Sequence, residues 1–149
     1  MKLSTAGATF IASLEGTKLV AYQDVAGVWT IGCGHTGDVN PGDHITQDQA
    51  MSLLLMDTAR FARAVDFYTN VQTQTNQNGF DAMVSLAYNI GVNAFLGSSV
   101  LKKHLAADWY GAQAAFLLWD KAHIDGCLCT VPGLLNRRKQ EAALYLKAV

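Results

Sequence analysis

Glu15, Asp24 and Thr30 are the residues whose types and spacing could do chemistry. The two acids lie nine positions apart, and the threonine follows six positions later. Hydrolysis of a glycosidic bond needs one carboxyl that keeps its proton near neutral pH and another that has lost it. Two acids and a hydroxyl on a short, turn-bound segment suit that task. Spacing alone also fits two ordinary surface acids, so the elements that position them have to decide.

Leu3, Phe10, Ile11 and Leu14 form a stripe at helical spacing that predicts a helix over 4–14. Ser4 suits its N-cap and Gly16 its stop. Glu15 then sits at the negative end of the helix dipole, which should push its pKa upward, and apolar neighbours would add to that push. From Leu19 to Cys33 the pattern turns to strand formers around a break at 24–27. On the returning strand Val28, Thr30 and Gly32 share one face, and Trp29, Ile31 and Cys33 share the other. Pairing about the turn brings Thr30 opposite Asp24 or diagonal to it, in a polar setting that suits an ionised carboxylate.

Gly37, Asn40, Pro41 and Gly42 mark a loop over 34–43. Thr46 and Gln49 have the spacing of a capping box, opening a helix that reaches Tyr68. A polar loop is predicted over 72–78. Phe80, Met83, Val84 and Ala87 mark a buried helix stopped by Gly91. Ser98 or Ser99 caps a short helix near 100–105, and Asp108 caps the next. Residues 126–133, with Pro132, read as a loop, and 134–147 as a closing helix carrying Arg137 and Arg138. The fold class is α+β, mostly α, in a single domain over 1–149. A small β-hairpin lobe, about 17–45, is inserted after the first helix. A long connecting helix leads on to a larger helical lobe of about 47–149, to which the helix 4–14 belongs.

The chain has 149 residues, half of them hydrophobic and 15% charged, so a substantial core can form and disorder is excluded. With 11 basic and 12 acidic residues the net charge is −1, which argues against nucleic acid as a partner. The densest apolar run, Leu53 to Met56, is far short of the ~20 residues of a membrane span. Ser4, Thr5, Thr9 and Ser13 interrupt the N-terminal apolar residues, so no signal peptide is expected. Cys33, Cys127 and Cys129 make a poor disulfide framework and a poor zinc site. They are expected reduced, with a bond from Cys33 to one of the other two as the alternative after export. No metal and no cofactor are expected.

The segment EGTKLVAYQDVAGVWTIGCGHT (residues 15–36) resembles the signature of phage-type lysozymes, the muramidase family of the T4 and P22 endolysins. That signature reads E-G-x₂-L-x-A-Y-x-D-x₂-G-x₂-T-I-G-x-G-H-T, and every fixed position is matched. Residues 76–101 (NQNGFDAMVSLAYNIGVNAFLGSSVL) are similar to the family's buried helix and following turn. PGLLNRRKQEAALYL (132–146) resembles its closing helix with paired arginines. The likeness is closest to the P22 type.

The resemblance implies a lysozyme-like fold and hydrolysis of the β-1,4 bond between N-acetylmuramic acid and N-acetylglucosamine in peptidoglycan. It assigns Glu15 as general acid, Asp24 as the carboxylate that activates or orients water, and Thr30 as a hydroxyl holding that water. Tyr88, Asn89 and Ser98 match blocks that border the sugar cleft, although Tyr88 also reads as core and Ser98 as a helix cap. His35 matches as a structural residue, and Arg137 or Arg138 is expected to reach Glu15 and oppose the helix-end effect. The missing signal peptide predicts a protein kept in the host cytoplasm until a partner pore, by family resemblance a holin, releases it to the periplasm and wall, and a monomer is expected. A lytic transglycosylase and a non-catalytic wall-binding protein are the alternatives. A zinc hydrolase built on His35 and the cysteines is a remote fourth.

Overall fold

The computed structural model describes residues 1–71 and 74–149. Two compact units divide the chain, one of Ser4–Arg60 and one of Met1–Leu3 with Phe61–Val149. They are called here the N-terminal and C-terminal units.

The N-terminal unit begins with α1 (Thr5–Glu15), whose first turn is closed by the Ser4 hydroxyl accepting from the Gly7 N–H at 2.9 Å. Gly16 ends it at φ 75°, a left-handed value that a glycine adopts without the strain a Cβ brings. Strands β1 (Lys18–Gln23) and β2 (Trp29–Gly32) follow as an antiparallel hairpin, pairing Tyr22 with Thr30 and Gln23 with Trp29. The predicted loop after β2 is present and carries isolated bridges from Ile31 to His35 and from Val20 to His44. The capping box forms in both directions: the Thr46 N–H donates to Gln49 Oε1 at 2.8 Å, and the Gln49 N–H donates to Thr46 Oγ1 at 3.2 Å. It opens α2 (Gln47–Thr69), and the division between the units falls within this helix. The helix α1 belongs to the N-terminal unit, beside the hairpin. Ile11, Ile31, Cys33, Ala50 and Leu54 are buried here. The thiol of Cys33 lies 3.4 Å from the Thr17 hydroxyl, so a small, weakly polar side chain fits that place.

The C-terminal unit is helical, with α3 (Gln77–Ile90), α4 (Val92–Leu96), α5 (Ser99–Leu105), α6 (Trp109–Phe116) and α7 (Pro132–Tyr145). Of the polar loop expected over 72–78, residues 72 and 73 lie outside the described residues. The rest ends sooner than expected, because the Asn76 side chain accepts from the Gly79 N–H at 2.7 Å and starts α3 at Gln77. Asp108 caps α6 in the same way. α3 packs on α7, α6 on both α5 and α7. Phe80, Phe95 and Phe116 are each fully buried in this unit, and each such side chain stabilises the fold by about 1.5–3 kcal/mol.

Two expectations are corrected in this unit. Residues 126–133 are not a loop. Strands β3 (Lys121–Ile124) and β4 (Cys127–Thr130) form a second hairpin, and α7 begins at Pro132, where a fixed φ suits the first helical turn. The hairpin turns on Asp125 and Gly126, at φ 49° and 77°, the pair of left-handed residues a tight two-residue turn demands. The cysteines are not all reduced either, and Cys33 is not bridged. Cys127 and Cys129 share one face of β4 and are bonded to each other, with Cα atoms 5.6 Å apart, within the reach of a disulfide.

His104 is buried in the same unit between two hydroxyls, with Nδ1 2.7 Å from Tyr145 Oη and Nε2 2.8 Å from Thr75 Oγ1. Burial lowers its pKa to about 4, against an ordinary value of about 6.5. Between these values the unfolded chain binds a proton that the folded chain refuses. Stability therefore falls as pH drops from about 6.5 to about 4, by up to about 3 kcal/mol, and is insensitive to this group below that. Thermal melts of wild type and His104→Gln at pH 7, 5.5 and 4 check this. The wild-type melting temperature should fall more steeply with acidification, and parallel curves would refute the assignment.

Candidate active site

All three residues of the expected chemical constellation lie in the N-terminal unit. Glu15 is the last residue of α1 and is exposed. The apolar surround expected for it is therefore not what the structure provides. Its position follows from Gly16: the Gly16 N–H returns to the Ala12 carbonyl at 2.9 Å and the chain leaves the helix there.

Asp24 is fixed by the turn it begins. Its Oδ1 accepts from the Ala26 N–H at 2.8 Å and from the Val28 N–H at 2.9 Å, and its own N–H donates to the Val28 carbonyl at 2.9 Å. This is the local turn chemistry that aspartate performs well. Gly27, at φ 79°, completes the turn by donating to the Asp24 carbonyl. One carboxylate oxygen is thus committed to the backbone. The other, Oδ2, makes no hydrogen bond among the described residues and can receive a proton or orient a water molecule.

Thr30 is buried, and its hydroxyl donates to the Val28 carbonyl at 2.9 Å. In register it faces Tyr22, two positions before Asp24, which makes Asp24 its diagonal neighbour. The proton of the hydroxyl is spent on Val28, so Thr30 can hold a water only by accepting from it. Val28 was not singled out by sequence. Its N–H steadies Asp24 and its carbonyl orients Thr30, and no side-chain pattern could have revealed a role carried by the backbone.

His35 is held from both sides. Nδ1 lies 2.9 Å from Asp57 Oδ2 and Nε2 lies 2.9 Å from the Gly37 carbonyl. It ties the loop after β2 to α2. Asp57 was missed, since nothing in a helical pattern marks an acid whose partner is 22 residues away.

The remaining candidates lie in the C-terminal unit. Tyr88 is half-buried and meets Phe61 edge to face, with ring centroids 5.3 Å apart. Asn89 is exposed and accepts from Arg138 through Oδ1. Ser98 is buried and accepts from the Leu101 N–H at 3.2 Å, so its hydroxyl caps α5. Arg137 and Arg138 both bind Glu141: Arg137 Nε donates to Oε1 at 3.0 Å and Arg138 Nη1 donates to Oε2 at 2.6 Å. Ser85 also donates to Oε1, at 2.7 Å. Glu141 was another omission; its register on α7 is visible in sequence but its burial is not.

The phage lysozyme family model matches residues 12–141. An endolysin of Acyrthosiphon pisum secondary endosymbiont phage 1 is 43% identical over 99% of this chain and 100% of its own. The endolysin of Salmonella phage P22 is 40% identical over 98% and 99% respectively. Among solved structures, the muramidase domain of SpmX from Asticaccaulis excentricus is 36% identical and superposes with a TM-score of 0.89, covering 99% of each chain.

Proposed function

Since the chain belongs to the phage lysozyme family, we propose a definite division of labour among its residues on the wall polymer. The protein is an endolysin of the lysozyme type, and its substrate is peptidoglycan. The bond cut is the β-1,4 link from N-acetylmuramic acid to N-acetylglucosamine. Glu15 gives its proton to the leaving oxygen, and a water held between Asp24 Oδ2 and the Thr30 oxygen attacks the sugar carbon. The observation that carries this reading is the Val28 peptide. Its N–H binds one oxygen of Asp24 and its carbonyl takes the proton of Thr30, which leaves an acceptor oxygen on each side chain to receive a water proton.

Tyr88 and Asn89 contact the glycan strand in this reading, and Ser98 contributes by fixing the start of α5. No described helix is long and apolar enough to cross a membrane. We place the monomer in the host cytoplasm until a holin pore opens, and then in the periplasm against the wall.

Because Asp24 serves water rather than the proton donor, Asp24→Asn should lower turnover roughly 10²-fold or more while leaving wall binding intact. An Asp24→Asn enzyme with near-full activity would end this assignment. Mass spectrometry of digested peptidoglycan tests the reaction itself. Hydrolysis yields reducing ends, whereas 1,6-anhydro ends would make the protein a lytic transglycosylase. A water between two carboxyls also needs a gap of roughly 6.5–9.5 Å and inverts the anomeric centre, so the first product formed should be the inverted anomer.

A further inference from the structure

The C-terminal unit contains a half-open cavity of about 260 Å³ that takes no part in the chemistry above. Its lining includes the buried Tyr145 and His104, with Thr75 completing a chain of hydroxyl, imidazole and hydroxyl. Trp109 meets the His104 ring edge to face, with centroids 5.2 Å apart, so the ring is held on three sides and the cavity is already formed. Gln74 and Asn76 supply amides, and Tyr110 stands beside Trp109 with 77% of its surface exposed.

The chemistry of the lining restricts what can bind. Among the described residues it contains no lysine, arginine, aspartate or glutamate. His104, whose pKa lies near 4, is uncharged at neutral pH. Burial first, and the Asp108 carboxylate second, push the Tyr145 phenol up, and the nearby Lys103 ammonium is already paired with Asp108 at 2.8 Å. A charged ligand would lose its hydration here without gaining a counter-charge. A flat apolar wall of indole and phenol beside amides and hydroxyls suits a ligand with an apolar face and hydroxyls at its edge. A single pyranose ring has that form, and the volume is at the small end for a ligand site.

We propose that this cavity is an accessory glycan-binding site that takes one uncharged N-acetylhexosamine, N-acetylglucosamine in the wall polymer, and rejects N-acetylmuramic acid with its lactyl carboxylate free. The class of ligand rests on the cavity alone, whereas its source in peptidoglycan rests on the proposed lytic function. Such a site would hold the enzyme on the strand independently of the acids, adding a second attachment to the same polymer.

The test is a two-dimensional ¹H–¹⁵N NMR titration of the Glu15→Gln protein, which separates binding from turnover. N-acetylglucosamine should give saturable shifts at the Trp109 indole N–H and in residues 108–111. Tyr110→Ala, a change at an exposed side chain, should weaken that binding about 2- to 10-fold with the circular dichroism unchanged. N-acetylmuramic acid at neutral pH should bind roughly tenfold more weakly or worse. Absence of saturable shifts at these residues, indifference to Tyr110→Ala, or equal binding of the two sugars would each overturn the proposal. A wild-type protein that shows the shifts but does not clear cells would instead overturn the lytic reading.

Discussion

Glu15→Gln should lose lytic activity by about 10²–10⁴-fold, the usual worth of a positioned general acid. Glutamine has nearly the shape of glutamate and can still accept a hydrogen bond, but it has no proton to give to the leaving oxygen. The side chain is exposed at the end of α1, where a near-isosteric change leaves the helix and its Ser4 cap in place, so circular dichroism and the melting curve should stay close to wild type. The loss should appear in kcat, because the proton is transferred only in the transition state. Glu15→Asp separates proton donation from position: it keeps the acid but withdraws it by one methylene, and a misplacement of about 1 Å costs about 10²-fold. Clearing of outer-membrane-stripped Gram-negative cells measures all three proteins. Equal clearing by wild type and Glu15→Gln, or clearing by neither, would reject the catalytic role and favour a protein that only binds the wall.

The parts of the fold legible in sequence are those whose signals are local. Ser4, the Thr46–Gln49 box, Asp108 and Gly91 each mark a helix end by a bond made within a few residues, and each forms. The first hairpin is legible because strand formers flank the four-residue break from Asp24 to Gly27. The second turns on the adjacent pair Asp125–Gly126 but is flanked by short, mixed strands with little alternation, so it reads as a loop. The bond between Cys127 and Cys129 follows from that hairpin, since an extended strand puts alternate residues on one face. With the strand unseen, the pair could not be foreseen.

The acids and the hydroxyl are legible as types and positions, and the turn places Thr30 opposite Asp24 or diagonal to it, of which the register gives the diagonal. What they bind is not. Thr30 donates to a carbonyl, and that changes which part of the hydroxyl remains for water. Asp57 and Glu141 depend on tertiary pairing over 22 and 56 residues, which no periodicity carries. Cys33, without an evident purpose in sequence, is a buried side chain against Thr17.

Glu141→Gln should destabilise the protein by about 3–5 kcal/mol, the cost of taking one partner out of a buried ion cluster. The Glu141 carboxylate is wholly buried and receives bonds from Arg137, Arg138 and Ser85, and the Arg138 guanidinium is wholly buried as well. Replacing the carboxylate takes from both guanidinium groups an anion they bind directly and turns one acceptor oxygen into a donor facing donors. At roughly 3 °C per kcal/mol for a chain of this length, the melting temperature should fall by roughly 10–15 °C. Because the pair is shielded from solvent, the loss should be nearly the same at low and high salt, unlike that of a surface pair. The cost arises from donors left facing a donor in a buried site rather than from the strength of the ion pairs. The triple replacement Arg137→Met, Arg138→Met, Glu141→Leu, which removes all three charges, should therefore recover much of the lost stability. Urea melts of the two variants measure the difference. A single variant within 1 kcal/mol of wild type would show that the cluster is open to water, and a triple variant no better than the single would show that packing, not charge, is what Glu141 supplies.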